Sequence, residues 1–206
     1  MSEISGLENL PSRPNYYFEH VTTPLSAGGV GMFLNSHLQY NILERTSNSS
    51  YQALWIEIVD TNNKKSICGV VYRQHDKAYD FLNYLSSSIE LYSSKKRNIY
   101  LRRDFNIDLP KFESCSYTEE LLELAQSFSQ LPTVDKPTRV YGNSATLIDD
   151  IFSNNLENSL ICGHIVTDTT DQCTQVCIVA TTRNKGKKSV TTPISVLTGL
   201  SLNCKI

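Results

Sequence analysis

Six acidic or amide groups lie within or just past stretches of apolar sequence, and their types suit metal-assisted phosphate chemistry. Asp104 and Asn106 follow Ile99-Tyr100-Leu101, Asp149 and Asp150 interrupt Leu147-Ile148 and Ile151-Phe152, and Asp168 and Asp171 follow Ile165-Val166. In α/β folds, the ends of strands are where ligand-binding groups from distant parts of the chain gather. Carboxylates meeting there would suit a hard cation such as Mg²⁺, which takes oxygen ligands, polarises a phosphoryl oxygen and helps form a nucleophile from water. The same aspartates also suit solvated turns and Asx caps, because Asp bonds readily to its own backbone. Spacing alone leaves both readings open.

The elements that would position these groups can be read from periodicity. Gly28 to Leu34 reads as a turn feeding a short buried strand, and Ala53–Val59 alternates as a strand. The polar run Asp60–Lys65 is a turn, and Ile67–Arg73 returns as the second arm of a hairpin. Phe81, Leu82, Leu85, Ile89 and Tyr92 recur at spacings of three and four, which predicts a helix over Asp80–Ser93. Asn98–Leu101 follows as a strand. A second helix is expected over Thr118–Phe128, with Thr118, Glu119 and Glu120 suiting its positive N-terminal end. Leu147–Phe152, Leu160–Val166 and Val176–Thr181 read as further strands. The order predicts an α/β or α+β fold with mixed sheets and no internal repeat.

The bulk numbers set limits on function. With 206 residues, 40% of them hydrophobic, and a formal net charge of −2, one domain with its own core is expected. That balance excludes a strongly basic nucleic-acid binder of the kind recognisable from charge alone. Two local basic runs remain, Lys95-Lys96-Arg97 with Arg102-Arg103 and Arg183 to Lys188, each of which suits phosphate contact or plain solvated surface. The start of the sequence has no signal-peptide pattern and no apolar run long enough to span a bilayer, so an intracellular, nuclear or cytoplasmic protein with no membrane partner is expected. The six cysteines are scattered, and reduced thiols are the default for such a setting. Cys173 and Cys177 lack the second pair that a zinc site needs.

Leu101-Arg102-Arg103-Asp104-Phe105-Asn106-Ile107-Asp108 resembles the Gly-Asp-Phe-Asn motif of the endonuclease/exonuclease/phosphatase superfamily, and more narrowly that of the endonuclease domain of non-LTR (LINE-type) retrotransposons. Four further stretches match in the same order: Gly28–Leu34, Gly69–Arg73, Lys136–Arg139 with Ser144–Phe152, and Thr167–Gln172. The resemblance implies a four-layer α-β-β-α sandwich with two packed mixed β-sheets, lacking the first strands of the full domain. It further implies a Mg²⁺-dependent phosphodiesterase site at one end, with DNA as the possible partner. On it, residues 1–15 are a loose leader, 16–182 a partial domain and 183–206 a flexible basic, Ser/Thr-rich tail.

Carried over by position, the resemblance gives Asp104 the attacking water and Asn106 a hydrogen bond to the scissile phosphate. Tyr72 would line the phosphate pocket and Thr138 would contact phosphate nearby. Taken alone, Tyr72 is equally a core strand tyrosine and Thr138 a turn residue after Pro137. Asp171 matches the metal-side aspartate of a Ser-Asp-His motif, and Asp149 the aspartate that orients its histidine. That histidine is Gln172 here, which can donate a hydrogen bond to phosphate but cannot relay a proton near neutral pH. The glycine before the motif aspartate is Arg103, and the segment that would bring an asparagine and a metal-binding glutamate is not matched; Glu19 sits in a poor context for that ligand. These departures predict an impaired or inactive endonuclease. A non-catalytic nucleic-acid or protein interaction module, and a transposon relic without function, stay open beside it.

Overall fold

The computed structural model describes residues 12–23, 29–60, 62–74, 78–94, 97–104, 107–111, 113–141, 144–155, 160–165, 174–179 and 194–197. Its elements run β1 (Tyr16–Thr22), β2 (Gly29–Asn35), β3 (Gln39–Ser47), β4 (Tyr51–Val59), β5 (Lys65–Arg73), α1 (Ala78–Ser93), β6 (Asn98–Asp104), α2 (Ser116–Ser127), β7 (Leu131–Pro132), β8 (Arg139–Tyr141), β9 (Ser144–Thr146), β10 (Asp149–Ser153), β11 (Leu160–Ile165), β12 (Thr174–Val179) and β13 (Ile194–Leu197). A six-stranded sheet in the order β3-β4-β5-β6-β10-β7 forms the centre. Only β5 and β6 pair in parallel, with α1 as the crossover between them; every other pairing in the sheet is antiparallel. The architecture is mixed α/β, as the helix and strand order predicts.

Strict alternation along the central strands gives the sheet two buried faces. On one face Ala53, Trp55, Ile67, Val71, Ile99, Leu101 and Phe152 meet Phe81, Leu82, Leu85, Ile89 and Tyr92 of α1 and Leu121 and Ala125 of α2. On the other, Leu54, Ile56, Cys68, Val70, Tyr100 and Ile151 meet Val21, Val30 and Leu34 of the β1-β2 pair and Cys177 of the β11-β12-β13 sheet. Both described α-helices therefore cover one face, and strands cover the opposite one. Gly69 pairs with Trp55, and a Cβ on it would come within 2.5 Å of the indole, so the ring lies over bare backbone.

Several elements depart from the pattern read in the sequence. The strand before the Asp104 motif extends through Arg102 and Arg103 to end at Asp104 itself, because the parallel pairing with β5 continues as far as Tyr72. The run expected as a strand from Leu147 begins only at Asp149, where pairing with Asp104 starts. The second helix starts at Ser116 with Cys115 as its N-cap, which puts Thr118 in the first turn, fully buried. Six strands were not expected: β1, β3, the short β7, β8 and β9, and β13. In β3 the register slips between Ile42 and Glu44, and that bulge breaks the period of two. Within the segment expected as a tail, Ile194-Ser195-Val196-Leu197 pairs with β12, since its alternation completes a third strand there. The neighbouring residues lie outside those described.

Candidate active site

The parallel arrangement of β5 and β6 brings two strand ends out of the sheet together, and β10 starts at the same end. Tyr72 stands opposite Asp104, and Asp104 opposite Asp149, so three residues scattered along the chain form one row across three neighbouring strands. Tyr72 is partly buried against the core between the sheets. Asp104 is placed here by its backbone.

The β8-β9 hairpin adds a fourth residue. Thr138 precedes it, and its N–H donates to the Thr146 carbonyl at 2.9 Å, which folds the segment back toward β10. The backbone N–H of Asp149 then donates to Thr138 Oγ1 at 3.2 Å. Both residues are enclosed, Thr138 at 0% exposure and Asp149 at 1%. A hydroxyl that accepts from a buried backbone group holds Asp149 in place, so Thr138 acts on the row from within the protein.

Two neighbouring carboxylates have different work. Asp150 Oδ1 accepts from the backbone N–H of Ile151 at 2.6 Å, of Val134 at 3.2 Å and of Thr133 at 3.3 Å. It ties the turn after β7 to β10, and its role is structural. Asp108, at the end of the motif segment, accepts from the Leu147 N–H at 3.0 Å, while Leu109 N–H donates to the Leu147 carbonyl at 3.1 Å. The chain just after Asp104 is thus laced to the chain just before Asp149. Sequence reasoning missed this clamp; the only signal was an aspartate following an apolar residue in a turn, a pattern shared by many caps.

Of the residues expected at the site, the structure brings Tyr72, Asp104, Asp149 and Thr138 to one end of the sheet. Asn106, Asp171 and Gln172 lie outside the described residues, as does Asp168. Arg103 is placed by its backbone opposite Asp150. The first basic run is partly used elsewhere: Arg97 and Lys65 both pair with the buried Glu57, while Arg102 is half-buried on β6. Glu19, on β1, is held by Arg45 and by the Tyr40 hydroxyl at 2.7 Å. It serves as a structural partner there.

No family model matches the sequence, and no curated protein does. Solved structures do match in shape. The endonuclease domain of TRAS1, a telomere-specific non-LTR retrotransposon, superimposes with a TM-score of 0.58 at 12% identity, over 80% of this chain and 78% of that one. An endonuclease/exonuclease/phosphatase family protein from Bacteroides thetaiotaomicron gives 0.51 at 11% identity, over 78% and 71%. TDP2 from D. rerio, complexed with a single-strand DNA product, gives 0.52 at 10% identity, over 77% and 72%. This chain has the endonuclease/exonuclease/phosphatase fold.

At such identities the likeness is one of backbone architecture, and the chemistry has to be argued from the side chains. Among the described residues of this endonuclease/exonuclease/phosphatase-fold chain, no group of three or more acidic, histidine or cysteine side chains comes together to hold a metal ion. The described part of the site does not by itself fit the oxygen-ligand set of Mg²⁺. Nor, among the described residues, is any helix long and apolar enough to cross a membrane.

Proposed function

We propose that this chain is a nucleic-acid-directed phosphodiesterase-fold protein of the retrotransposon endonuclease type, in which binding of the phosphodiester outlives its hydrolysis. The observation that carries the proposal is the row Tyr72, Asp104 and Asp149 at one sheet end, with Thr138 bonded to Asp149. Tyr72 supplies a phenol toward a phosphate, Asp104 a carboxylate for the attacking water, and Asn106 an amide donor to the phosphate. Asp171 and Gln172 belong to the same site in this reading, with Asp171 the metal-side carboxylate should Mg²⁺ bind. The weak step is proton transfer: an amide at Gln172 donates a hydrogen bond but cannot take up or pass on a proton as an imidazole does. Replacing a general acid–base group costs roughly 10²–10⁴ in rate. The solved structures of like fold are named as an endonuclease domain and as a complex with a DNA product, which favours DNA as the polymer.

The test pairs binding with turnover. A labelled single-stranded oligonucleotide should bind at low salt and dissociate steeply as salt is added, because phosphate contacts release counterions. Plasmid nicking with Mg²⁺ should be slow, and Gln172→His should raise it by about 10² or more. Absence of oligonucleotide binding at low salt, together with no nicking by either protein, would sink the proposal.

A further inference from the structure

The second core contains a pair of thiols that the proposed phosphodiesterase chemistry does not use. Cys162 on β11 stands directly opposite Cys177 on β12 in the antiparallel register. Opposed residues of antiparallel strands have Cα atoms about 4.5–5.5 Å apart, inside the window of about 4.4–6.8 Å that a disulfide spans. The two side chains already meet, the thiol of Cys177 hydrogen-bonding to Cys162. Both are free thiols in this structure. We propose that Cys162 and Cys177 are an oxidation site that closes into a reversible cross-strand disulfide on exposure to a hydroperoxide.

The two cysteines differ in the way such a reaction needs. Cys162 is half-buried at the margin of the core, whereas Cys177 is enclosed beside Cys68, Tyr100 and Ile151. The contact with Cys177 holds the Cys162 thiol down at about 7, against burial, which opposes. The same contact and burial push the Cys177 thiol up. Cys162 is therefore the thiolate that attacks, and Cys177 the thiol that resolves. In the first step the Cys162 sulfur bonds to the distal peroxide oxygen, the O–O bond breaks, and the departing hydroxide takes a proton and leaves as water. Cys177 then gives up its proton as its sulfur attacks the sulfenic sulfur, the S–S bond forms, and hydroxide leaves to become a second water. Two thiols are oxidised to one disulfide and one hydrogen peroxide is reduced to two waters.

The crosslink would join the strands on either side of the segment from Val166 to Cys173, which carries Asp171 and Gln172. Closing a loop of that size removes freedom from the unfolded chain, so oxidation should raise the unfolding temperature by about 5 °C or more.

The experiment treats the full chain with hydrogen peroxide near stoichiometric amounts and follows intact mass. The expected product is lighter by about 2 Da, returns to the starting mass with dithiothreitol, and melts at the higher temperature. Cys162→Ser and Cys177→Ala should each abolish the mass loss, and Cys173→Ser should leave it intact. Cys162, being half-buried, tests the proposal even if Cys177→Ala disturbs the core. Retention of the mass loss in Cys162→Ser, its loss in Cys173→Ser, or peroxide adding oxygen to Cys162 with no crosslink would each overturn the proposal.

Discussion

Asp149 and Asp150 are adjacent buried carboxylates, and the structure gives the second a purely structural duty that a pair of substitutions can isolate. Removing the Asp150 side chain in Asp150→Ala withdraws one oxygen from three backbone donors. The losses are unequal. Thr133 N–H also donates to the Ile151 carbonyl at 3.0 Å and keeps that bond. Val134 sits in the core, and its N–H is left stranded, which costs about 1–3 kcal/mol. Adding the loss of a charge-assisted bond to Ile151 N–H gives roughly 2–4 kcal/mol in all. For a chain of this size that lowers the unfolding temperature by roughly 5–15 °C. Asp150→Asn keeps an acceptor oxygen in the same place at lower strength, and should cost about 1 kcal/mol. Urea unfolding followed by the fluorescence of Trp55, the single tryptophan, reads both variants. An alanine variant within about 0.5 kcal/mol of the parent, or an asparagine variant as damaged as the alanine one, would refute this account of Asp150.

Gly69→Ala puts a methyl within 2.5 Å of the Trp55 ring, in a core that α1 closes from the other side, and should destabilise by about 1–3 kcal/mol with a shifted tryptophan emission; an unchanged melt and spectrum would contradict the packing described. Alkaline stability should also respond to buried acids. Burial pushes the Cys68 thiol from 9.0 up to about 12, and burial first, opposed by hydrogen bonds from Asn155 and Asn98, pushes the Tyr100 phenol from 10.0 up to about 12. The folded chain keeps protons that the unfolded chain releases, so this stability is complete below pH 9 and is lost as pH rises toward 12. The denaturant midpoint should fall across that interval, and Cys68→Ala should flatten the early part of the fall; a midpoint flat from pH 9 to 11 would oppose it.

The two helices and the β4-β5 hairpin were legible for different reasons: apolar residues recur with a helical period at 81, 82, 85, 89 and 92 on α1, and β4 is a short, mostly apolar run buried on both faces and closed by a polar turn. The edge strand β3 was not, since its bulge after Ile42 and its exposed polar positions hide the alternation. β1 was missed for a related reason: only Val21 in it is buried, and Tyr16, Phe18, Glu19 and His20 are all half-buried, so no alternation shows. Of the residues named by the resemblance, strand pairing lines up Tyr72, Asp104 and Asp149, and the Thr138 hydroxyl joins Asp149 by accepting from its N–H. What spacing could not separate was Asp149 from Asp150, because adjacent residues of a strand face opposite ways and only the pairing decides which joins the row. Nor could it show that Arg97, in a run of three cations, is committed to Glu57 on β4.

The central claim is that the end of the sheet formed by β5, β6 and β10 receives a nucleic-acid phosphate. Titrating a short single-stranded DNA into isotope-labelled protein at low salt, and following backbone amide shifts, tests it without requiring turnover. Shifts concentrated at Tyr72, Thr138 and Asp149, and reversed by added salt, are the predicted result; shifts confined to surfaces remote from that row, or none at saturating DNA, would contradict it.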